Sequence, residues 1–186
     1  MQGRVIPGPS CFRNGRVLPM MRVVVDESGE HLDAAAQIWA EATSWRDNDK
    51  DVAPLELSRP IIERVLEISP RSFLLMVFED EDDGRPIAFT AVAPVPGDED
   101  MAELHYLGVE PPSWGRAYGA VALVTTQDAM LERGFSAAKL SVYVDNERAV
   151  QFYERWGWRP HGEAVPHPRT GKLEQEYRFA LAQSTH

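Results

Sequence analysis

Residues 102–120 read AELHYLGVEPPSWGRAYGA, and residues 140–158 read LSVYVDNERAVQFYERWGW. In the first stretch, Ala102–Val109 reads as a strand closed by Glu110-Pro111-Pro112. A long helix is expected from about Gly115 to Arg133, with Gly134 as its C-terminal stop. Ala138–Val144 is again strand-like, so the segment forms a βαβ crossover whose two strands run parallel. In the second stretch Asp145 and Asn146 are good N-cap residues. Ala149, Phe152, Tyr153 and Trp156 then recur at i, i+3, i+4 and i+7, which predicts an amphipathic helix over Glu147–Trp156 ended by Gly157.

Working outward, Arg22–Val25 is a short β-branched strand. Leu32, Ala35, Ala36, Ile38, Trp39 and Ala42 fall at helical spacing. An acid-rich polar loop follows from Trp45 to Asp51, then a helix from about Leu55 to Ile68 that Pro60 interrupts or kinks. Phe73–Glu79 is a buried strand, joined by a turn containing Gly84 to its hairpin partner Pro86–Val95. Arg159–Ala164 and Glu174–Ala182 read as two final strands. The order β-α-α-β-β-β-α-β-α-β-β gives one α/β domain of the α+β type. Its sheet is expected to be mixed and mostly antiparallel, with helices on both faces and no internal repeat.

Composition sets the outer limits. The chain has 186 residues, a formal charge of −10 and 44% hydrophobic residues, enough for one domain with a proper core. The acidic excess argues against a nucleic-acid partner, whose phosphates are held by Lys and Arg. The longest wholly apolar run, Phe73–Phe78, is too short to span a bilayer. A single cysteine, Cys11, cannot form an internal disulfide, which suggests a reducing, cytoplasmic compartment. Residues 1–20 carry three Arg, no acid, three Pro and three Gly and lack periodicity, so they are expected to be a flexible leader before a domain at 21–186. The five histidines show no metal-ligand spacing, and no metal is expected.

Between the strand and the long helix stands Pro112-Ser113-Trp114-Gly115-Arg116-Ala117-Tyr118-Gly119-Ala120. A strand that passes through a small-residue turn into a helix leaves backbone N–H groups unpaired at the positive end of the macrodipole. Such a turn can hold an anion, and Arg116 can add charge-assisted bonds; read alone, the signal is weak and a plain tight turn is the simpler reading. Together with Asn146-Glu147-Arg148-Ala149-Val150-Gln151-Phe152-Tyr153, it resembles the core of the GNAT superfamily of N-acetyltransferases. The loop matches that family's Gln/Arg-x-x-Gly-x-Gly/Ala pattern with two departures, Trp114 for Gln or Arg and Ala117 for the first Gly. The Asn-x-x-Ala-x-x-Phe-Tyr pattern is matched residue for residue.

The resemblance implies that the loop from Trp114 to Ala120 holds the pyrophosphate of acetyl-CoA. It also implies that strands 102–109 and 138–144 splay apart. The backbone of Leu107, Gly108 and Val109 then pairs with the pantetheine arm, and Gly108 fits a bulge there. Asn146 is implied to contact the cofactor, and the Tyr153 hydroxyl to lie near its sulfur, although on periodicity alone Tyr153 is core.

Acetyl transfer to an amine needs a base for the ammonium proton and a donor for the leaving thiolate. Glu103 and His105, two apart on a strand, are expected to project from one face, with Leu104 and Tyr106 on the other. Ionisable groups on a central strand suggest a cavity, which would raise the pKa of a carboxylate toward a working base. The alternative is a satisfied polar pair. Some family members place a general base at the position of Glu103. The acceptor site is implied to lie between loop 42–54 and loop 165–173. In the first, Trp45, Asp47, Asp49 and Asp51 could hold a cationic amine, although acids in such a loop are more simply solvated. The resulting expectation is an acetyl-CoA-dependent transferase acting by direct attack on a primary amine of a small molecule. Protein or peptide acetylation and a non-catalytic acyl-CoA-binding module are the alternatives, and a homodimer is left open.

Overall fold

The computed structural model describes residues 21–79 and 84–181; the expected leader at 1–20 lies outside them. The elements follow in the expected order: β1 (Met21–Asp26), α1 (Leu32–Asp47), α2 (Leu55–Leu66), β2 (Phe73–Glu79), β3 (Pro86–Val95), β4 (Asp98–Val109), a 3-10 turn at Pro111–Ser113, α3 (Tyr118–Glu132), β5 (Ala137–Tyr143), α4 (Glu147–Arg155), β6 (Arg159–Pro166) and β7 (Leu173–Ala180). The seven strands form one mixed sheet in the order β1-β2-β3-β4-β5-β7-β6. Every pairing is antiparallel except β4 with β5.

β2 and β3 are covered on both sides and read as nearly unbroken apolar runs. Alternate residues go to two separate cores. Phe73, Leu75, Val77 and Val92 join Tyr118, Ala122, Leu123 and Met130 under α3. Leu74, Met76, Phe89 and Ala91 join Leu32, Ala35, Ile62 and Val65 under α1 and α2. A buried hydrogen bond between the Thr90 and Thr126 hydroxyls, 2.7 Å apart, ties β3 to α3.

Three local expectations are corrected. Helix α1 runs on through Trp45 to Asp47, so the loop begins only at Asn48, a left-handed C-cap at φ 55°. The Ser44 hydroxyl bonds the Asp49 and Asp51 carbonyls and satisfies the chain as it turns away. α2 continues through Pro60 as one helix. α3 starts at Tyr118 rather than Gly115, because Gly115 takes φ 80° in the preceding turn.

The largest correction concerns register. Ala91 pairs with Tyr106 and Val92 with Leu104, so the bulge in β4 falls at His105 and not at Gly108. One extra residue reverses the alternation beyond it. Leu104 stays under α3, whereas Tyr106 joins the α1/α2 side instead of sharing the face of Leu104. Gly108 pairs directly with Phe89, and an added Cβ there would stand 2.5 Å from the Phe89 ring. Close packing, rather than a bulge, requires glycine at this position.

Candidate active site

The parallel ladder between β4 and β5 lasts only three pairs, Met101 with Ala137, Ala102 with Ala138 and Glu103 with Lys139. β5 then pairs along its whole length with β7, while β4 stays with β3, so the two strands part beyond Glu103. A cleft of about 1440 Å³ opens there, lined by Glu103 through Val109 on one side and Ser141, Val142 and Tyr143 on the other. Leu107, Gly108 and Val109 thus line the wedge. The Val109 carbonyl already accepts a 2.6 Å hydrogen bond from the Trp114 indole, a partner that spacing gave no reason to expect.

At the mouth of the wedge, Ser113 to Arg116, Gly119 and Ala120 line the cleft. Val121 is the first amide of α3 to bond back, to Ala117. The N–H groups of Tyr118, Gly119 and Ala120 are therefore free of the helical ladder at the positive end of the dipole. Ala117 lies at φ −75°, a conformation any residue adopts, so its departure from glycine carries no strain. Tyr118 points away: its ring is buried in the α3 core, and its hydroxyl donates to Glu79, which Arg116 also approaches at 3.5 Å. Tyr118 and Ala117 can offer the cleft backbone only.

Glu103 and His105 do face one another, with His105 Nδ1 3.9 Å from Glu103 Oε1. The surroundings are not a bare apolar cavity. Lys139 Nζ stands 3.3 Å from Glu103 and 3.7 Å from Glu176, and Glu176 takes a 2.7 Å bond from Arg178. This ionic row crosses β4, β5 and β7 and ends at the apex of the wedge. Lys139 was missed by sequence reasoning, because only the parallel register places it opposite Glu103. Burial lowers the His105 pKa below its ordinary 6.5, Glu103 opposes this and Lys139 adds to it, so the ring is neutral at pH 7.

Across the cleft, Tyr153 projects from α4 between Phe152 and Trp158, at centroid distances of 5.3 and 6.1 Å. Among the described residues its hydroxyl has no hydrogen-bond partner, and burial pushes its pKa well above the ordinary phenol range. Asn146 lines the same cleft and caps α4 by accepting from the Ala149 N–H at 3.3 Å. Trp39, Trp45, Trp114 and Trp156 are cleft walls. Trp45, flagged in the sequence for its acidic neighbours, packs edge-on against Trp114 at 5.6 Å, while Arg148 lies 4.2 Å over the other ring system.

The acids of the first loop are exposed and do not line the cleft, which agrees with a solvated loop. Asp47 is engaged by Arg46 at 2.7 Å, and neither Asp49 nor Asp51 lines the cleft. Its lining carboxylates are Glu103 and Glu174, against five arginines at 46, 116, 148, 155 and 169. The lining therefore carries more positive than negative side chains, in a chain of net charge −10.

The family profile of the acetyltransferase (GNAT) family matches residues 32–158. The chain belongs to the GNAT family. Mycothiol acetyltransferase of Rhodococcus jostii is 31% identical over 144 residues, covering 74% of this chain and 43% of that protein. The mycothiol acetyltransferase of Acidimicrobium ferrooxidans is also 31% identical, over 70% of this chain and 41% of its own length. This GNAT chain thus spans less than half the length of these curated relatives. In fold it is similar to the ribosomal-protein-S18-alanine N-acetyltransferase of Escherichia coli, with TM-score 0.66 and 18% identity over 89% of this chain and 96% of that one. It is likewise similar to yncA of Salmonella typhimurium, solved with its cofactor acetyl-CoA, with TM-score 0.64 and 13% identity over 89% and 96%. Among the described residues of this GNAT domain no helix is long and apolar enough to cross a membrane.

Proposed function

We propose that the chain is an acetyl-CoA-dependent N-acetyltransferase that moves an acetyl group to the primary amine of a small molecule by direct attack, with both substrates bound together. The observation that carries this reading is the wedge. It opens just past Glu103 and Lys139, with proton-accepting groups at its apex, a hydroxyl on its opposite wall and free helix N–H groups at its mouth. Acetyl-CoA fits the chemistry of these parts: Gly115, Gly119, Ala120 and Arg116 would receive its pyrophosphate, and the unpaired edge of β4 its pantetheine amides.

Acetyl-CoA supplies a thioester carbonyl already activated for attack. The protein's share is proton handling and placement. An ammonium acceptor must lose a proton before it can attack, and the neutral His105 ring and the Glu103 carboxylate are placed to receive it. The raised pKa of Tyr153 keeps its hydroxyl protonated. It therefore acts as a hydrogen-bond donor that stabilises the departing thiolate rather than handing over its proton completely. The non-catalytic alternative drew on Trp114 and Ala117. The unstrained Ala117 and the ionic row behind Glu103 favour an active site instead.

Thiol release from acetyl-CoA with a panel of small primary amines tests the reading. Glu103→Gln is expected to lower kcat by roughly 10²–10⁴-fold, the usual worth of a general base, and Tyr153→Phe by roughly 10²–10³-fold, the usual worth of one donor to a developing anion. Rates within about twofold of the unaltered chain in both variants would remove these assignments. Turnover confined to peptide N-termini would make the acceptor a protein.

A further inference from the structure

We infer that the acceptor amine also carries an anionic substituent, a carboxylate or a phosphate, which docks on Arg169 at the tip of the β6–β7 hairpin. The inference rests on the reading of the cleft as an amine acetyltransferase and adds the chemistry of the acceptor.

The hairpin tip is a built turn. His167 N–H donates to the Lys172 carbonyl and Gly171 N–H to the His167 carbonyl, both at 2.8 Å. The His167 Nδ1 atom accepts from the N–H groups of Arg169 and Thr170, each at 3.3 Å. The His167 ring packs edge-on against Tyr143 at 5.6 Å, and Lys172 reaches Asp145 at 3.4 Å. The backbone of Arg169 is therefore fixed against β5 and the start of α4, and its side chain lines the cleft.

The other arginines of the cleft are occupied or belong elsewhere. Arg46 is spent on Asp47, Arg116 faces Glu79, and Arg148 lies over Trp114. Arg155 projects from α4, which packs on the α3 side of the sheet. Arg169 has no carboxylate partner among the described residues. It lines the cleft together with Tyr106, which lies on the α1/α2 side, away from the helix start that suits a pyrophosphate. Burial raises the Tyr106 pKa, and the positive charges of Arg169 and Arg64 work against that rise, as two guanidinium groups near one hydroxyl must. The lining carboxylates are Glu174 and Glu103, the latter already paired with Lys139, so the cleft presents both signs of charge. An ammonium is drawn to the acids and an anion to Arg169, whose planar fork suits a carboxylate or phosphate.

The test compares kcat/KM for L-amino acids, their carboxamides and 2-aminoethyl phosphate, in the unaltered chain and in Arg169→Gln. Taking the change in the anion-to-carboxamide ratio between the two proteins cancels differences in amine basicity. The ratio is expected to fall roughly 10–100-fold in Arg169→Gln, the worth of a charge-assisted contact, and Arg169→Lys should restore part of it. The favoured anionic series identifies the anion. An unchanged ratio, or a rise in the KM for acetyl-CoA with no change in the ratio, overturns the inference while leaving the transferase reading intact. Failure of every amine to be acetylated, while acetyl-CoA still raises the melting temperature, overturns the transferase reading and this inference together.

Discussion

Glu103 sits at the last paired position of the parallel ladder, in a row of charges that His105 faces. The His105 ring feels three influences: burial and Lys139 lower its pKa, and Glu103 raises it. Two variants should therefore move it in opposite directions. Lys139→Met removes a repelling positive charge and should raise the His105 pKa toward 6.5, whereas Glu103→Gln removes an attracting negative one and should lower it further. NMR titration of the imidazole checks both signs. If the acidic limb of kcat/KM belongs to His105, Lys139→Met should move that limb to higher pH. Movement of both variants in one direction would mean that the ring does not sense this row of charges. The alternation that paired Glu103 with His105 was readable in the sequence, but Lys139 was not, because nothing local in AAKLSVY says which strand will lie beside it.

At the scale of elements, joints and register matter most. Asp26, at the end of β1, gathers the entry to α1: its Oδ1 accepts from the Ser28 and Gly29 N–H groups at 2.9 Å and its Oδ2 from His31 N–H at 2.7 Å. Burial raises its pKa, but the bonds from His31 and Ser28 outweigh that, and the net value is below the ordinary 3.8. A depressed carboxyl pKa adds stability that is complete above the unfolded value and lost as pH falls through the folded one. Asp26→Asn is expected to cost about 1–3 kcal/mol near neutral pH and to flatten the loss of stability below about pH 4, measurable by urea unfolding across that range. Gly108→Ala tests the β3–β4 contact. With Phe89 2.5 Å from the new Cβ, it should destabilise by about 1–3 kcal/mol, and Phe89→Leu in the same chain should recover much of that.

For the molecule as a whole, the sheet consists of two parts, β1–β4 and β5–β7, joined by three residue pairs. A ligand that fills the wedge adds contacts to both parts and binds the folded state alone. At 100 times its Kd, acetyl-CoA should add about 2.7 kcal/mol, or roughly 5–10 °C in Tm for a chain of this size. Amide exchange should slow along β5 and α4 as well as at the start of α3. Slowing confined to α3 would show that only the phosphate end is held.

The sequence by itself determined the order of elements, the parallel crossover and the small-residue turn that leads into α3. Each is written in local signals: the stripe Ala149, Phe152, Tyr153 and Trp156, the caps at Asp145 and Asn146, and the glycines around Arg116. It ended α1 too early, because Thr43, Ser44 and Arg46 break the apolar period although the backbone stays helical. Only the tertiary structure decided where β4 bulges, which face Tyr106 takes, what Trp114 bonds, and that the cleft is lined by arginines rather than by the aspartates of the first loop. Those features are relations between segments far apart in the chain. They follow from which strands pair, in what register, and which charges are already neutralised by neighbours when the surface closes.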